Sequence, residues 1–101
     1  MFDNKRYTTK EIQQEIPLVL QILLWSCIDT LRLNGKELDY LQVFELSVET
    51  KNGKIYQKVE HRQEIPRYKK MYVIPFDDVA VGKIFVIDDG FHSTMMLSSE
   101  Y

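Results

Sequence analysis

The eighteen residues from Ile16 to Leu33, IPLVLQILLWSCIDTLRL, are the one long helix-like segment of this chain, and they are too apolar for a single helix face. At about 100° per residue, Val19, Leu20, Leu23, Leu24, Cys27, Ile28 and Leu31 form one broad apolar stripe. The opposite side carries Gln21, Ser26, Asp29, Thr30 and Arg32, but also Leu18, Ile22, Trp25 and Leu33. A lone surface helix keeps a tryptophan and three aliphatics away from water. The helix is therefore expected to bury two sides, one on its own sheet and one on something else. That something is not a bilayer: Gln21, Asp29 and Arg32 interrupt the run, and a span needs roughly 20 mostly apolar residues.

The helix has readable ends. Thr8-Thr9-Lys10-Glu11 fits a capping box in which Thr8 accepts from the amide of Glu11 and Glu11 reaches back. A short helical turn then places Ile12 and Ile16 on one face. Pro17 suits a first helical turn and not an interior position, so it restarts the helix. The main helix is expected over about 17–34, with Gly35 as its left-handed terminator.

Beyond it the period changes from helical to alternating. Phe44, Leu46 and Val48 alternate with Glu45, Ser47 and Glu49; Asn52-Gly53 follows, and then Ile55 to Arg62. Asn-Gly between alternating runs is the strongest short-range hairpin signal, because both turn positions need positive φ. A two-residue loop sets Leu46 opposite Val59, Thr50 opposite Ile55 and Phe44 opposite His61. A three-residue loop would set Leu46 against Lys58, so the tight turn is preferred. Its one blemish is Glu45 opposite Glu60, which Lys58 and Arg62 can offset diagonally. Tyr68 to Ile74 is a further strand that Pro75 relegates to an edge or a terminus. Phe76 to Gly82 is a loop. Ile84 to Ile87 is apolar on both faces and reads as a central strand, Asp88-Asp89-Gly90 as a turn, and His92 to Leu97 as the return strand, with His92 opposite Ile87. The expected fold is a single α+β domain, 1–101, with the main helix on an antiparallel sheet of four to five strands built from hairpins.

The chain is one domain long at 101 residues, and 45% hydrophobic with 28% charged residues is a globular composition. Charges in Met1 to Arg6 occupy the place where a signal peptide carries its apolar core. Cys27 is the single cysteine, which excludes an intramolecular disulfide and suits a reducing cytoplasm. The net charge of −2 conceals a basic centre: residues 51–72 hold seven lysines and arginines against two glutamates, a local +5.

Candidate chemistry is sparse. Asp88-Asp89-Gly90-Phe91-His92-Ser93 is the densest polar cluster, and carboxylates beside a histidine can hold a metal or work as acid and base, here Asp88, Asp89 and His92 with His61. The alternative is that Asp88 and Asp89 shape a turn. Cys27 lies on the apolar stripe as a core thiol. Ser93 has no Gly-x-Ser-x-Gly frame and no glycine loop cradles a phosphate, so no cofactor or catalytic motif is present. Arg62, Arg67, Tyr68, Lys69, Lys70 and Tyr72 interleave cations with rings, the pairing that binds single-stranded nucleic acid. An edge strand guarded by lysines has the same appearance.

The segments MFDNKRY at 1–7, EIPLVLQILLW at 15–25, DYLQVFEL at 39–46, HRQEIPRYKKMY at 61–72 and KIFVIDDGFHSTMMLSSEY at 83–101 together resemble a family of small proteins from low-GC Gram-positive bacteria and their mobile elements, domain of unknown function 960. The resemblance spans nearly the whole chain. It implies a stand-alone cytoplasmic domain encoded on accessory genetic elements, and it brings no catalytic residues with it. The residues themselves favour a non-enzymatic interaction module, self-associating or docking a protein partner through Leu18, Ile22 and Trp25. The alternatives are nucleic-acid binding by the basic segment and, third, a metal or hydrolytic site at Asp88, Asp89 and His92.

Overall fold

The computed structural model describes residues 1–101. In chain order the elements are β1 (Lys5–Thr8), α1 (Lys10–Glu15), α2 (Leu18–Leu33), β2 (Leu41–Lys51), β3 (Lys54–Gln63), β4 (Tyr68–Pro75), β5 (Gly82–Asp88) and β6 (His92–Leu97), with a closing 3-10 turn at Ser98–Glu100. The strands form one six-stranded sheet in the order β1-β6-β5-β2-β3-β4. Both helices lie on one of its faces.

The sheet is larger than expected and mixed. β1 runs parallel to β6, and every other pair is antiparallel. The four residues of β1 escape sequence reasoning because their partner lies some 85 residues away, from Lys5 opposite His92 to Thr8 opposite Met95. Local pattern carries no signal for such a pairing. The extra strand also moves the first helix cap by one residue. Thr8 is committed to the strand, and Thr9 is the N-cap, its Oγ1 accepting from the Ile12 amide at 3.3 Å.

The main helix has the expected limits to within a residue, with Pro17 as N-cap and Asn34 as C-cap. Gly35, at φ +73°, donates to the Arg32 carbonyl and Lys36 to the Leu31 carbonyl, a Schellman closure that a left-handed glycine permits. The β2–β3 hairpin turns on Asn52 and Gly53, at φ +53° and +76°, in the predicted register: Leu46 opposite Val59, Thr50 opposite Ile55, Phe44 opposite His61. Arg62 reaches both Glu45 and Glu60 at 3.4 Å, and Lys69 (3.0 Å from Glu60) completes the compensation where Lys58 was expected. The β5–β6 turn is longer than expected. Ile87 faces Thr94 rather than His92, because the Asp89 carboxylate gathers the amides of Phe91 and His92 and so adds residues to the loop.

The core lies between the helices and one sheet face. Leu20, Leu24, Cys27 and Ile28 of α2 and Ile12 and Ile16 of the first helical turn meet Phe44, Leu46, Val59, Ile84, Val86 and Met95. Val19, expected on the inward stripe, is instead exposed, and Leu23 is half-buried. Phe2 takes a place in the core that the sequence did not announce. It is fully buried at φ +61°, its amide donating to Asp88 Oδ2 at 2.7 Å and its carbonyl accepting from Arg6 at 3.1 Å. Both backbone groups of a left-handed residue are thus held by side chains.

Three inward-facing glutamines hold loops to this core. Gln57 makes a two-way bond to Ala80, accepting its amide at 2.8 Å and donating to its carbonyl at 3.0 Å. Gln63 accepts from the Asp39 amide and donates to the carbonyls of Glu37 and Pro66, and Gln42 donates to both Gln63 and the Asp39 carbonyl. Buried loop amides and carbonyls need such partners. Phe2→Ala is expected to lower unfolding free energy by about 3–5 kcal/mol, as for a buried aromatic elsewhere; urea denaturation measures it, and a loss below about 1 kcal/mol would mean that Phe2 is not part of the cooperative core.

Candidate functional site

The basic and aromatic residues proposed for nucleic acid do not share one surface. Alternation along β4 turns Tyr68, Lys70 and Tyr72 toward the helix layer and Lys69 toward the open face, while Arg67 sits in the β3–β4 turn. Tyr68 packs edge-on to His61 with ring centres 5.5 Å apart, and Lys70 lies 5.0 Å over the Tyr72 ring. Arg62 and Lys69 are engaged by Glu45 and Glu60 on the other face. The sheet thus separates Arg62 and Lys69 from the two rings and Lys70.

Asp88, Asp89 and His92 occur together in sequence and divide in space. Asp88 faces inward. Burial alone would raise its carboxyl, but the amides of Phe2 and Gly90 and the side chain of Asn4 outweigh that and hold it below its usual value. Asp89 faces outward, its carboxyl lowered by the amides of His92 and Phe91, and it contacts the His92 ring at 3.0 Å. His61 is separated from His92 by strands β5 and β2. No group of three or more His, Cys, Asp or Glu side chains converges to hold a metal ion.

The buried titratable groups sit under α2. Burial pushes the Cys27 thiol up to about 11, against the opposing effects of the Tyr72 hydroxyl and Lys70, and a thiol so placed is a poor nucleophile. His61 stacks on Phe44 at 4.5 Å, and its Nε2 lies 2.7 Å from Gln42 Oε1. Because that oxygen accepts, Nε2 carries the proton, and Nδ1 is a bare, buried nitrogen with no partner. Protonating it would create an unpaired cation in the core, and desolvation accordingly brings the ring down to about 4.

The residues proposed for docking lie as follows. Leu18 is 67% and Ile22 59% exposed, and Val19, at 63%, joins them. Trp25 is half-buried on the flank of α2, its ring beneath the Arg6 guanidinium at 4.8 Å. Arg6 in turn binds Asp29, which Arg32 also reaches at 3.2 Å. That pair of arginines holds the Asp29 carboxyl below its usual range, Arg6 contributing most. An apolar hollow of about 170 Å³ opens beside Val19, lined also by Leu20, Leu23, Ile74 and Phe76.

A second apolar surface was missed. On the open sheet face Tyr7, Thr94, Ile87 and Leu41 stand in one cross-strand row and Met96, Phe85 and Val43 in the next. Tyr101 folds back to meet Phe85 edge-on at 5.5 Å. Its signal was present in the sequence: a strand apolar on both faces, in a chain with one helix layer to offer. Val43 is buried and Leu41, Phe85, Ile87, Thr94 and Met96 are half-buried, while Tyr7 and Tyr101 at the margins stay exposed.

The arrangement is a two-layer α+β domain whose polar clusters serve the fold and whose helix layer keeps an apolar outer surface. The chain belongs to the domain of unknown function 960 family, described as a Staphylococcal protein of unknown function, which it matches over residues 5–100. A crystal structure of a protein of unknown function from Enterococcus faecalis is similar, with a TM-score of 0.76 at 30% identity over 98% of this chain and 92% of that one. Comparison with curated proteins finds no match.

The neutral histidine makes stability depend on pH. In the unfolded chain His61 titrates near its ordinary value of about 6.5, and in the folded chain at about 4. Its stabilisation is complete above pH 6.5 and declines as pH falls toward 4, by up to about 3 kcal/mol. Urea unfolding at pH 7, 5.5 and 4.5 is expected to show that decline, and a His61→Gln variant to lack it. The same slope in the variant would assign the effect to other groups.

Proposed function

We propose that this chain is a non-enzymatic protein-interaction module that docks a partner protein through the outer surface of α2. The observation that carries the reading is the exposure of Leu18, Val19 and Ile22 side by side on the first turns of the helix, next to an apolar hollow. Single exposed aliphatics are ordinary, whereas a contiguous set on a rigid helix is characteristic of a recognition surface. The position of Trp25 refines the surface: with Arg6 over its ring, it borders the patch instead of anchoring it.

Magnitude limits what this patch does alone. Covering three side chains already one-third buried contributes roughly 3–6 kcal/mol, and association costs on the order of 4–15 kcal/mol. A partner therefore needs contacts beyond these three. No helix is long and apolar enough to cross a membrane, and the lone buried Cys27 supports a cytoplasmic setting for the encounter.

A Leu18→Glu/Ile22→Glu double variant is expected to keep its fold, because both positions are exposed and helical substitutions of this kind cost little. Affinity capture from the native cytoplasm, run beside wild type, is expected to lose the proteins that wild type retains in near-stoichiometric amount. Equal capture by both, with equal thermal unfolding, would remove the helix surface from the function. Sedimentation equilibrium separates self-association from docking a different protein.

A further inference from the structure

β4 closes one side of the sheet, and its register fixes which of its backbone groups have no partner. The two-residue turn makes Lys51 and Lys54 a hydrogen-bonded pair. Alternation then points Tyr56, Lys58, Glu60 and Arg62 toward β2, and Gln57, Val59, His61 and Gln63 toward β4. Their partners Ile74, Tyr72, Lys70 and Tyr68 bond inward, which leaves the N–H and C=O of Lys69, Met71 and Val73 directed away from the sheet. No backbone bond from a loop or turn takes them up. Met71 and Val73 are 48% and 49% exposed, and the register runs without a bulge as far as Pro75. The opposite edge, β1, offers four residues against the eight of β4. Two further features lie along this edge, both on the helix side of the strand. The apolar hollow between α2 and β4 is lined by Ile74, Phe76, Val19 and Leu23. Lys70 makes no ion pair, its ammonium resting only over the Tyr72 ring.

We propose that β4 takes up an extended acidic segment of a partner protein as an added strand, with an apolar side chain at the hollow and a carboxylate at Lys70. The proposal rests on the helix-surface reading, since Val19 borders both surfaces, and it names the chemistry of the partner. An added strand satisfies the outward donors and acceptors, and its alternate side chains supply selectivity. In an antiparallel register the residues opposite Ile74 and Lys70 fall on the same side of that strand. Lysines on an edge ordinarily repel further strands. Here they discriminate among them. β4 has two lysines and no acidic residue, so a second copy brings like charge to the seam, whereas an acidic segment neutralises it. Lys69 is already shared with Glu60 at 3.0 Å, and Lys70 is the cation left to a partner. Backbone pairing also supplies the additional interaction that three aliphatic side chains lack.

The probe is an acetylated, amidated Thr-Leu-Thr-Val-Thr-Glu-Glu peptide added to the intact chain and followed by amide spectra and hydrogen exchange. In the proposed register its leucine meets Ile74 and its glutamates meet Lys70 and Lys69. Saturable binding is expected to slow exchange of the Met71 and Val73 amides about tenfold near saturation. Methylating the backbone nitrogen of the third or fifth peptide residue, which faces β4, is expected to weaken binding about tenfold or more. Methylating that of the fourth, which points away, is expected to cost about twofold or less. Glutamine in place of both glutamates, Lys70→Glu in the protein, and raising salt from 50 to 300 mM are each expected to weaken binding about threefold or more. Equal binding of the two kinds of methylated peptide overturns strand addition. Equal binding of the glutamate and glutamine peptides overturns the acidic partner. An oligomer of the chain alone that protects Met71 and Val73 also overturns it, since the occupant is then a second copy. If the peptide binds as expected and capture of partner ignores Leu18→Glu/Ile22→Glu, the helix-surface reading fails while the edge stands. If capture depends on the helix and the peptide does not bind, the edge alone fails.

Discussion

A single helix layer has to close one face of a six-stranded sheet, and most of the structure follows from how that is done. The inward positions of β2, β3, β5 and β6 deliver Phe44, Leu46, Val59, Ile84, Val86 and Met95 to the underside of α2. Sixteen helical residues do not reach every corner of that face. Where α2 stops, Gln42 and Gln63 tie down the chain that leaves it, and Gln57 does the same for the loop ahead of β5. These glutamines interrupt the aliphatic pattern of their strands without weakening the core, since each buried amide is matched to loop backbone. The N-terminal segment fills another corner with Phe2, held by Asp88.

Much of this was legible from residues one to a few positions apart. The Asn52-Gly53 turn specified its hairpin register, and the switch from Pro17 to Gly35 bounded the helix, because these features depend on local backbone preference. What depends on distant partners was not legible. β1 exists only because β6 stands beside it, and Phe2 is buried only because Asp88 receives its amide. Val19 fell outside the stripe for a subtler reason. Helical phase places it at the margin of the apolar arc, and the width of the sheet beneath decides whether a marginal residue is covered. Asp88, Asp89 and His92 were legible as a cluster, yet their division between two faces required the true length of the turn.

Charge tells a related story. The basic centre of the sequence suggested one cationic surface, but strand alternation distributes it over two faces, and on the open one Arg62 and Lys69 are bound to Glu45 and Glu60. Glu15 and Asp78, which make no ion pair, lie outside that basic centre, at the junction of α1, α2 and the β4–β5 loop. Sequence-local net charge is therefore a poor guide here, because a strand sends successive residues to opposite sides.

The parallel pairing of β1 with β6 has a consequence for the order of assembly. On the ribosome the first eight residues emerge with neither their strand partner nor the Asp88 that fixes Phe2. The hairpin of β2 and β3 is complete long before either arrives. The N-terminal segment thus waits until β6 has been made and then closes the loop from Lys5 to His92. β1 is an edge strand, but its detachment would also take Phe2 out of the core and Arg6 off Asp29, which ties its opening to that of the core.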